Sequence, residues 1–309
     1  MTNDETVMTT ETPKKERTVS QFLRDLWLLM KPELTLLSVF TSLGSAFLAI
    51  QHSSETALLT FPLLASGTLL VGGGAGALNQ FAERNLDRLM QRTLRRPLPD
   101  GRVEPAEALI FGLGATVTGL LLLFLINTTA FLLALATSVS YVLLYTPLKR
   151  ISSVSTIIGA IPGALPTLIG WGSIDPSLSI RSLTLFAILF YWQMPHFYSI
   201  GWLYRVDYRK AGFQLLTSLD LSGKKVARHV VLNQILLLVI SLSPWLLGMV
   251  NGWYLAVAFI TGTVFLWTGI RFARTVTAED TGSSARVLFF TSLFYLPIIF
   301  SGLIICKVD

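Results

Sequence analysis

The chain has 309 residues, 52% hydrophobic and 14% charged, with a mean hydropathy of +0.62; that balance excludes a soluble domain and defines a polytopic membrane protein. Its net charge of +6 does not point to nucleic acid, because the lysines and arginines of a membrane protein sort by side. The single cysteine, Cys306, excludes an intrachain disulfide and a thiolate metal cluster.

Residues 1 to about 18 are polar, mixed in charge and read as disordered; they lack the basic start and apolar core of a cleavable signal peptide. Residues 19–30 read as a short amphipathic helix on the inner membrane surface, with Phe22, Leu23, Leu26, Trp27 and Leu28 as its apolar side. Residues 1–30 are thus a tail and an interfacial helix, and 31–309 a single transmembrane domain. A spanning helix needs about 20 apolar residues, and nine such spans fall at about 32–51, 58–82, 105–125, 129–147, 153–172, 181–203, 229–250, 252–271 and 286–306. The junctions at Asn127-Thr128 and Asn251-Gly252 are short enough for tight helical hairpins. The expected fold is all-α, nine transmembrane helices bundled around a central cavity.

Nine spans place the N-terminal tail and the loops after spans two, four, six and eight on one side. That side carries all but Arg181 and Lys307 of the 24 basic residues. The bias predicts a cytoplasmic N-terminus and an external C-terminus. The two longest loops, after spans two and six, are both charged and four spans apart; a duplicated four-helix unit would set them face to face.

The stretch around which the chain is organised is Asn79 to Arg102, NQFAERNLDRLMQRTLRRPLPDGR. Asn79, Glu83 and Asp87 recur every fourth residue, which keeps them on one helix face over roughly 12 Å. Arg84, Arg88, Arg92, Arg95 and Arg96 are interleaved or follow. Carboxylates hold hard cations such as Mg²⁺, and arginines fork onto phosphate oxygens, so the pattern suits a metal-bound polyphosphate. A solvated helix end with i, i+4 ion pairs is the competing reading. Asn79 weighs against it, because a polar amide deep in a spanning helix is usually buried and functional. Gly72-Gly73-Gly74-Ala75-Gly76 is not followed by Lys-Ser/Thr, so it is no phosphate loop and reads as a surface for close helix packing.

Span four ends in Tyr145-Thr146-Pro147-Leu148-Lys149-Arg150. Lys149 and Arg150 serve either as topology anchors or as cations for a phosphate held by the second span. Pro162 and Pro166 punctuate span five and require shelter from lipid. In span six, His196 follows Pro195; an ionisable group there is a functional candidate by default, as a haem-iron ligand or a proton carrier. Asp207, among Arg205, Arg209 and Lys210, offers a carboxylate opposite Glu83 and Asp87, enough to share a bridging Mg²⁺. His52 and His229 earn no role.

Three segments together resemble the intramembrane UbiA-type polyprenyltransferase superfamily. They are Asn79, Glu83 and Asp87 with Arg92-Thr93 and Arg96-Pro97-Leu98-Pro99-Asp100-Gly101-Arg102; YTPLKR with the later GAIPGALPTLIGW; and Pro195-His196-Phe197 followed by Asp207-Tyr208 and Ala211-Gly212. The last two are similar to the haem-modifying branch, and the resemblance covers roughly residues 30–305. The family's first aspartate is Glu83 here, and another acidic position common in that branch is Asn85. The branch's Pro-Pro-His-Phe-Trp is Met194-Pro195-His196-Phe197-Tyr198.

The resemblance implies farnesyl diphosphate and haem B as substrates, Mg²⁺ as helper, and haem O and diphosphate as products, made by a multi-pass protein of the cell inner membrane with its active-site loops on the cytoplasmic side. Glu83, Asp87 and Asp207 are then the metal ligands, and Asn79 and His196 complete the catalytic set. Arg88, Arg92, Arg96, Lys149, Arg150, Arg205 and Lys210 hold substrate. Phe81, Tyr145 or Trp192 shelter an allylic cation, and His196 orients haem or handles a proton. A haem A synthase or an oxidase assembly factor is the expected partner. Two alternatives stay open here: a prenyltransferase of the same fold acting on 4-hydroxybenzoate or a naphthoate, and a transporter or non-catalytic haem-binding paralogue.

Overall fold

A computed structural model describes residues 17–50, 57–276 and 281–308; most of the N-terminal tail and His52 lie outside them. Helix α1 (Val19–Leu29) opens on a capping box in which Thr18 and Gln21 exchange side-chain and backbone hydrogen bonds. Helix α2 (Pro32–Ala49) places Pro32 in its first turn, where the missing N–H costs nothing. Helix α3 (Ala57–Asp87) runs five residues past the expected end of span two, so the motif is helical through Asp87. Helix α4 (Pro105–Phe124) follows, then α5 (Thr128–Val139), which continues through a π-helical turn, Ser140–Tyr145, into α6 (Thr146–Leu148).

The second half comprises α7 (Ser155–Ile174), α8 (Ile180–Leu203), the short α9 (Arg205–Lys210) and α10 (Leu216–Leu219), then α11 (Lys224–Leu246), α12 (Trp253–Thr275) and α13 (Thr281–Ile305). Helix α11 starts five residues before the expected 229 because Asp220 caps it, accepting from the N–H groups of Lys225 and Val226 at 2.7 and 3.0 Å. Among the described residues the one β pairing is an isolated bridge between Val250 and Lys307.

Counting α5 to α6 as one, nine long helical segments are present among the described residues, and eight are long and apolar enough to cross a membrane. The exception is α8, whose Arg181, Ser182, Gln193 and His196 lower its hydropathy.

Helix α7 sits at the centre against α2, α5 and α8, so Pro162 and Pro166 are screened from lipid as expected. Helix α2 packs on α3, and α3 on α4; α11, α12 and α13 complete the other side, and α13 returns to α2. The small residues act sterically, as the sequence implies. A Cβ on Gly119 would stand 2.7 Å from both the Gly67 carbonyl and the Val71 nitrogen, so α3 and α4 touch backbone to backbone. The outer face is apolar, with Ile110, Leu121, Ile260 and Phe294 exposed.

Candidate active site

The site is built on the inward face of the α3 C-terminal turns. Asn79, Glu83 and Asp87 are 0%, 6% and 0% exposed, whereas Ala82, Asn85 and Arg88 face outward. The four-residue spacing therefore does form one buried ladder. Asn85, the departure from the family's acidic pattern, is on the other side of the helix and takes nothing from it.

Each rung meets a cation from elsewhere in the chain. The Lys31 ammonium donates to Asn79 Oδ1, and to the Tyr141 hydroxyl at 3.2 Å. Lys149 forms an ion pair with Glu83. Arg96 pairs with Asp87 Oδ2 at 2.8 Å. Asn79 also donates to Thr146 Oγ1 at 2.9 Å, and Thr93 Oγ1 donates to the Asp87 carbonyl at 2.7 Å, which ends α3. In sequence Lys31 is one more inner-side cation; the structure sets it apart by its backbone, held in the left-handed region at φ 52° just before Pro32. A non-glycine residue held there costs on the order of 1 kcal/mol and marks functional sites. Burial, reinforced by the charges of Arg96 and Lys149, brings the Lys31 ammonium down to about 7. Burial also pulls on Lys149, but the carboxylate of Glu83 and its hydrogen bond prevail and hold this ammonium above the ordinary lysine value.

The π-helical turn shapes the opposite wall. Pro147 has no N–H, and in a regular helix its ring would crowd the carbonyl four residues back, so the ladder shifts register just ahead of it. Thr146 Oγ1 then donates to the Tyr141 carbonyl at 2.9 Å. Tyr145 lies under Lys149, 4.8 Å from ring centre to ammonium, and fills the space left by Gly159, where a Cβ would come within 2.4 Å of the ring.

The two long charged loops meet face to face. Arg92 donates to the Tyr208 hydroxyl at 2.7 Å, Met90 packs with Ala211 and Phe213, and the Gln214 N–H donates to the Lys149 carbonyl at 2.8 Å. Here one expectation fails. Among the described residues no three Asp, Glu, His or Cys side chains come close enough to hold a metal ion, so Asp207 does not join Glu83 and Asp87. Its neighbour Tyr208 is held by Arg92, past the end of α3.

The other expected ligands divide. Arg96, Lys149 and Tyr145 are at the site, and Arg92 is exposed beside Tyr204 and Tyr208. Arg88, Arg150 and Lys210 are exposed around it. Arg205 folds back on Trp202, donating to its carbonyl at 2.9 Å. Phe81 faces away, packed with Leu29, Ala77 and Leu98 and covered by Arg84, so it is no shelter for a cation formed at the ladder. His196 and Trp192 form a separate, buried group against α13, stacked at 5.1 Å between ring centres. The His229 ring lies 5.7 Å from that of Tyr198, and its carbonyl accepts from the Asn233 amide at 2.7 Å. A cavity of about 1070 Å³ between α1 and residues 95–107 shares no lining residue with the ladder.

Asp87 Oδ1 is buried with no hydrogen-bond partner among the described residues. A stranded carboxylate oxygen beside a second carboxylate one turn away suits Mg²⁺, which takes one or two carboxylates and fills its remaining positions with water and phosphate. The arrangement can thus receive a polyphosphate and its counter-ion at the mouth of an apolar bundle.

Fold and site together define an intramembrane helical protein with a buried ladder of carboxylates set against cations, and residues 38–294 match the UbiA prenyltransferase family, to which the chain belongs. It is 40% identical to a protoheme IX farnesyltransferase of Opitutus terrae, over 95% of this chain and 97% of that one. It is 41% identical to a protoheme IX farnesyltransferase of Solibacter usitatus, over 90% and 97%. Among solved structures, a digeranylgeranylglyceryl phosphate synthase shares the fold with a TM-score of 0.74 at 17% identity, over 92% of this chain and 98% of that one. A UbiA homologue of Archaeoglobus fulgidus bound to GPP and Mg²⁺ does so at 0.64 and 14%, over 90% and 99%.

Proposed function

We propose that the protein transfers the farnesyl group of farnesyl diphosphate to a vinyl group of haem B, with addition of water, giving haem O and diphosphate. The observation that carries this reading is the buried Asn79–Glu83–Asp87 ladder with Lys31, Lys149 and Arg96 set against it, in a chain about 40% identical along nearly its whole length to protoheme IX farnesyltransferases.

Lys149, Arg96, Lys31 and Arg92 bind the diphosphate and orient it, and their fixed charges favour the negative charge that grows on the leaving group. Mg²⁺, held by Glu83 and Asp87, would supply further neutralisation of the diphosphate. As the allylic C–O bond breaks, the farnesyl carbon gains cation character, which an aromatic ring such as that of Tyr145 would shelter. The vinyl group supplies the electron pair of the new C–C bond; water takes the resulting haem-side cation and loses a proton. The apolar bundle keeps bulk water from the first cation. His196 serves the haem.

The same reading makes residues 31–309 one nine-span domain of the cell inner membrane, with the N-terminus and both charged loops cytoplasmic. A haem A synthase or an oxidase assembly factor is the class of partner that would take the product. The test is incubation of the purified protein with haem B, farnesyl diphosphate and Mg²⁺, followed by mass spectrometry. Haem O is expected; farnesylation of an aromatic acid in its place, with haem untouched, would overturn the assignment.

A further inference from the structure

The His196 ring is buried between α8 and α13, flanked by Trp192, Phe197 and Phe289. Its Nδ1 lies 2.7 Å from the hydroxyl of Ser292, which is fully buried. That hydroxyl has one hydrogen, and it also lies 2.5 Å from the Phe289 carbonyl one helical turn earlier, a group that can only accept. The Trp192 indole N–H donates to the Ser292 carbonyl at 2.8 Å, so α8 and α13 are pinned at this one residue.

Two hydrogens must be placed, the hydroxyl's and the ring's. With the ring hydrogen on Nδ1, Nδ1–H donates to Ser292 Oγ, Ser292 donates to Phe289, and both are satisfied. With the ring hydrogen on Nε2, Nδ1 and the Phe289 carbonyl are both acceptors for the one hydroxyl hydrogen, so one of the two contacts is lost. A lost hydrogen bond costs about 0.5–1.5 kcal/mol, enough to bias tautomers that are nearly equal in water. We infer that Ser292 is a positioning residue: it holds His196 as the Nδ1–H tautomer and leaves Nε2 as a bare lone pair for the iron of the haem substrate.

This is the pattern of a metal-ligating imidazole, whose other nitrogen donates to an oxygen that fixes the ring. Of the two roles open from sequence, haem-iron ligand and proton carrier, the inference takes the first. Nothing in positions 290–294 marks the serine, because its partner is 96 residues away. The ligand role rests on the proposed reaction; the tautomer does not.

The experiment uses ¹⁵N-histidine-labelled full-length protein in detergent without haem. The chain has three histidines, and His196→Gln assigns the signal. The parent is expected to show Nδ1–H with a non-protonated Nε2, and Ser292→Ala a tautomer mixture, while Ser292→Thr keeps the parent pattern. A protonated Nε2 in the parent overturns the inference. Haem titration then follows. Ser292→Ala should weaken haem binding about 10- to 100-fold and alter the iron–histidine band in the resonance Raman spectrum, with Ser292→Thr restoring both and farnesyl diphosphate affinity unmoved. Should Ser292→Ala fail to fold, the parent tautomer and the threonine variant still decide. Haem O formation without any His196-dependent iron signal overturns the ligand role and leaves the farnesyl transfer standing. Absence of haem O with the tautomer as expected sinks the reaction and leaves the positioning by Ser292 standing.

Discussion

Lys31 and Asn79, 48 residues apart in sequence, are joined by a hydrogen bond from ammonium to amide oxygen. The bond ties the start of α2 to the first rung of the α3 ladder. The same ammonium reaches the Tyr141 hydroxyl at 3.2 Å, so three helical segments meet on one cation.

An anion bound beside Lys31 draws a proton onto it. Because burial and the neighbouring cations hold this ammonium down to about 7, farnesyl diphosphate affinity should fall as the pH is raised from about 7 to about 9. Stability without ligand moves the other way: the unfolded lysine keeps its proton up to 10.5, so the folded state gains stability through the same window. Lys31→Met should raise KM for the diphosphate with little change in far-UV circular dichroism, and should flatten both slopes. Unchanged slopes in the variant would contradict the assignment.

Lys149→Ala leaves the Glu83 carboxylate buried without its cation, at a cost of about 3–5 kcal/mol. The double variant Glu83→Gln with Lys149→Met should recover part of that stability and none of the turnover. Melting temperature and initial rate, measured on the same preparations, separate the two effects. Since Glu83 holds Lys149 above the ordinary lysine value of 10.5, the stabilisation is fully present below 10.5 and is lost only as pH rises beyond it, so the destabilisation should not vary between about pH 6 and pH 9.

Gly119→Ala inserts a methyl group within 2.7 Å of two backbone atoms of α3 that cannot rotate away. Separating the helices should cost about 1–3 kcal/mol or more, seen as a lowered melting temperature in detergent. Gly114→Ala on the same helix, where a Cβ meets nothing within 4 Å, is the control and should leave it unchanged or slightly raised.

Much of this architecture is legible in the sequence, because helical period and apolar run length belong to the chain itself. The burial of Asn79, Glu83 and Asp87 follows from their spacing, and the meeting of the two charged loops from their place after spans two and six. What the sequence hides is which partner a side chain finds across a helix boundary. Lys31 reads as one more inner-face cation until its contact with Asn79 is known. Asp207 and Tyr208 are neighbours in a polar loop, and only the structure shows that it is the tyrosine that Arg92 of the other loop holds. Phe81 lies two residues from Asn79 and Glu83 and therefore on another face.

The central claim is that the buried carboxylates of α3 receive a metal-bound prenyl diphosphate. Its most direct test is equilibrium binding of farnesyl diphosphate to the full-length protein across a Mg²⁺ titration, parent against Asp87→Ala. The account predicts Mg²⁺-dependent binding in the parent, and a loss of that dependence in the variant together with a fall in turnover of about a hundredfold or more, while the variant still inserts and folds. Equal, Mg²⁺-dependent binding and normal turnover in both proteins would contradict it.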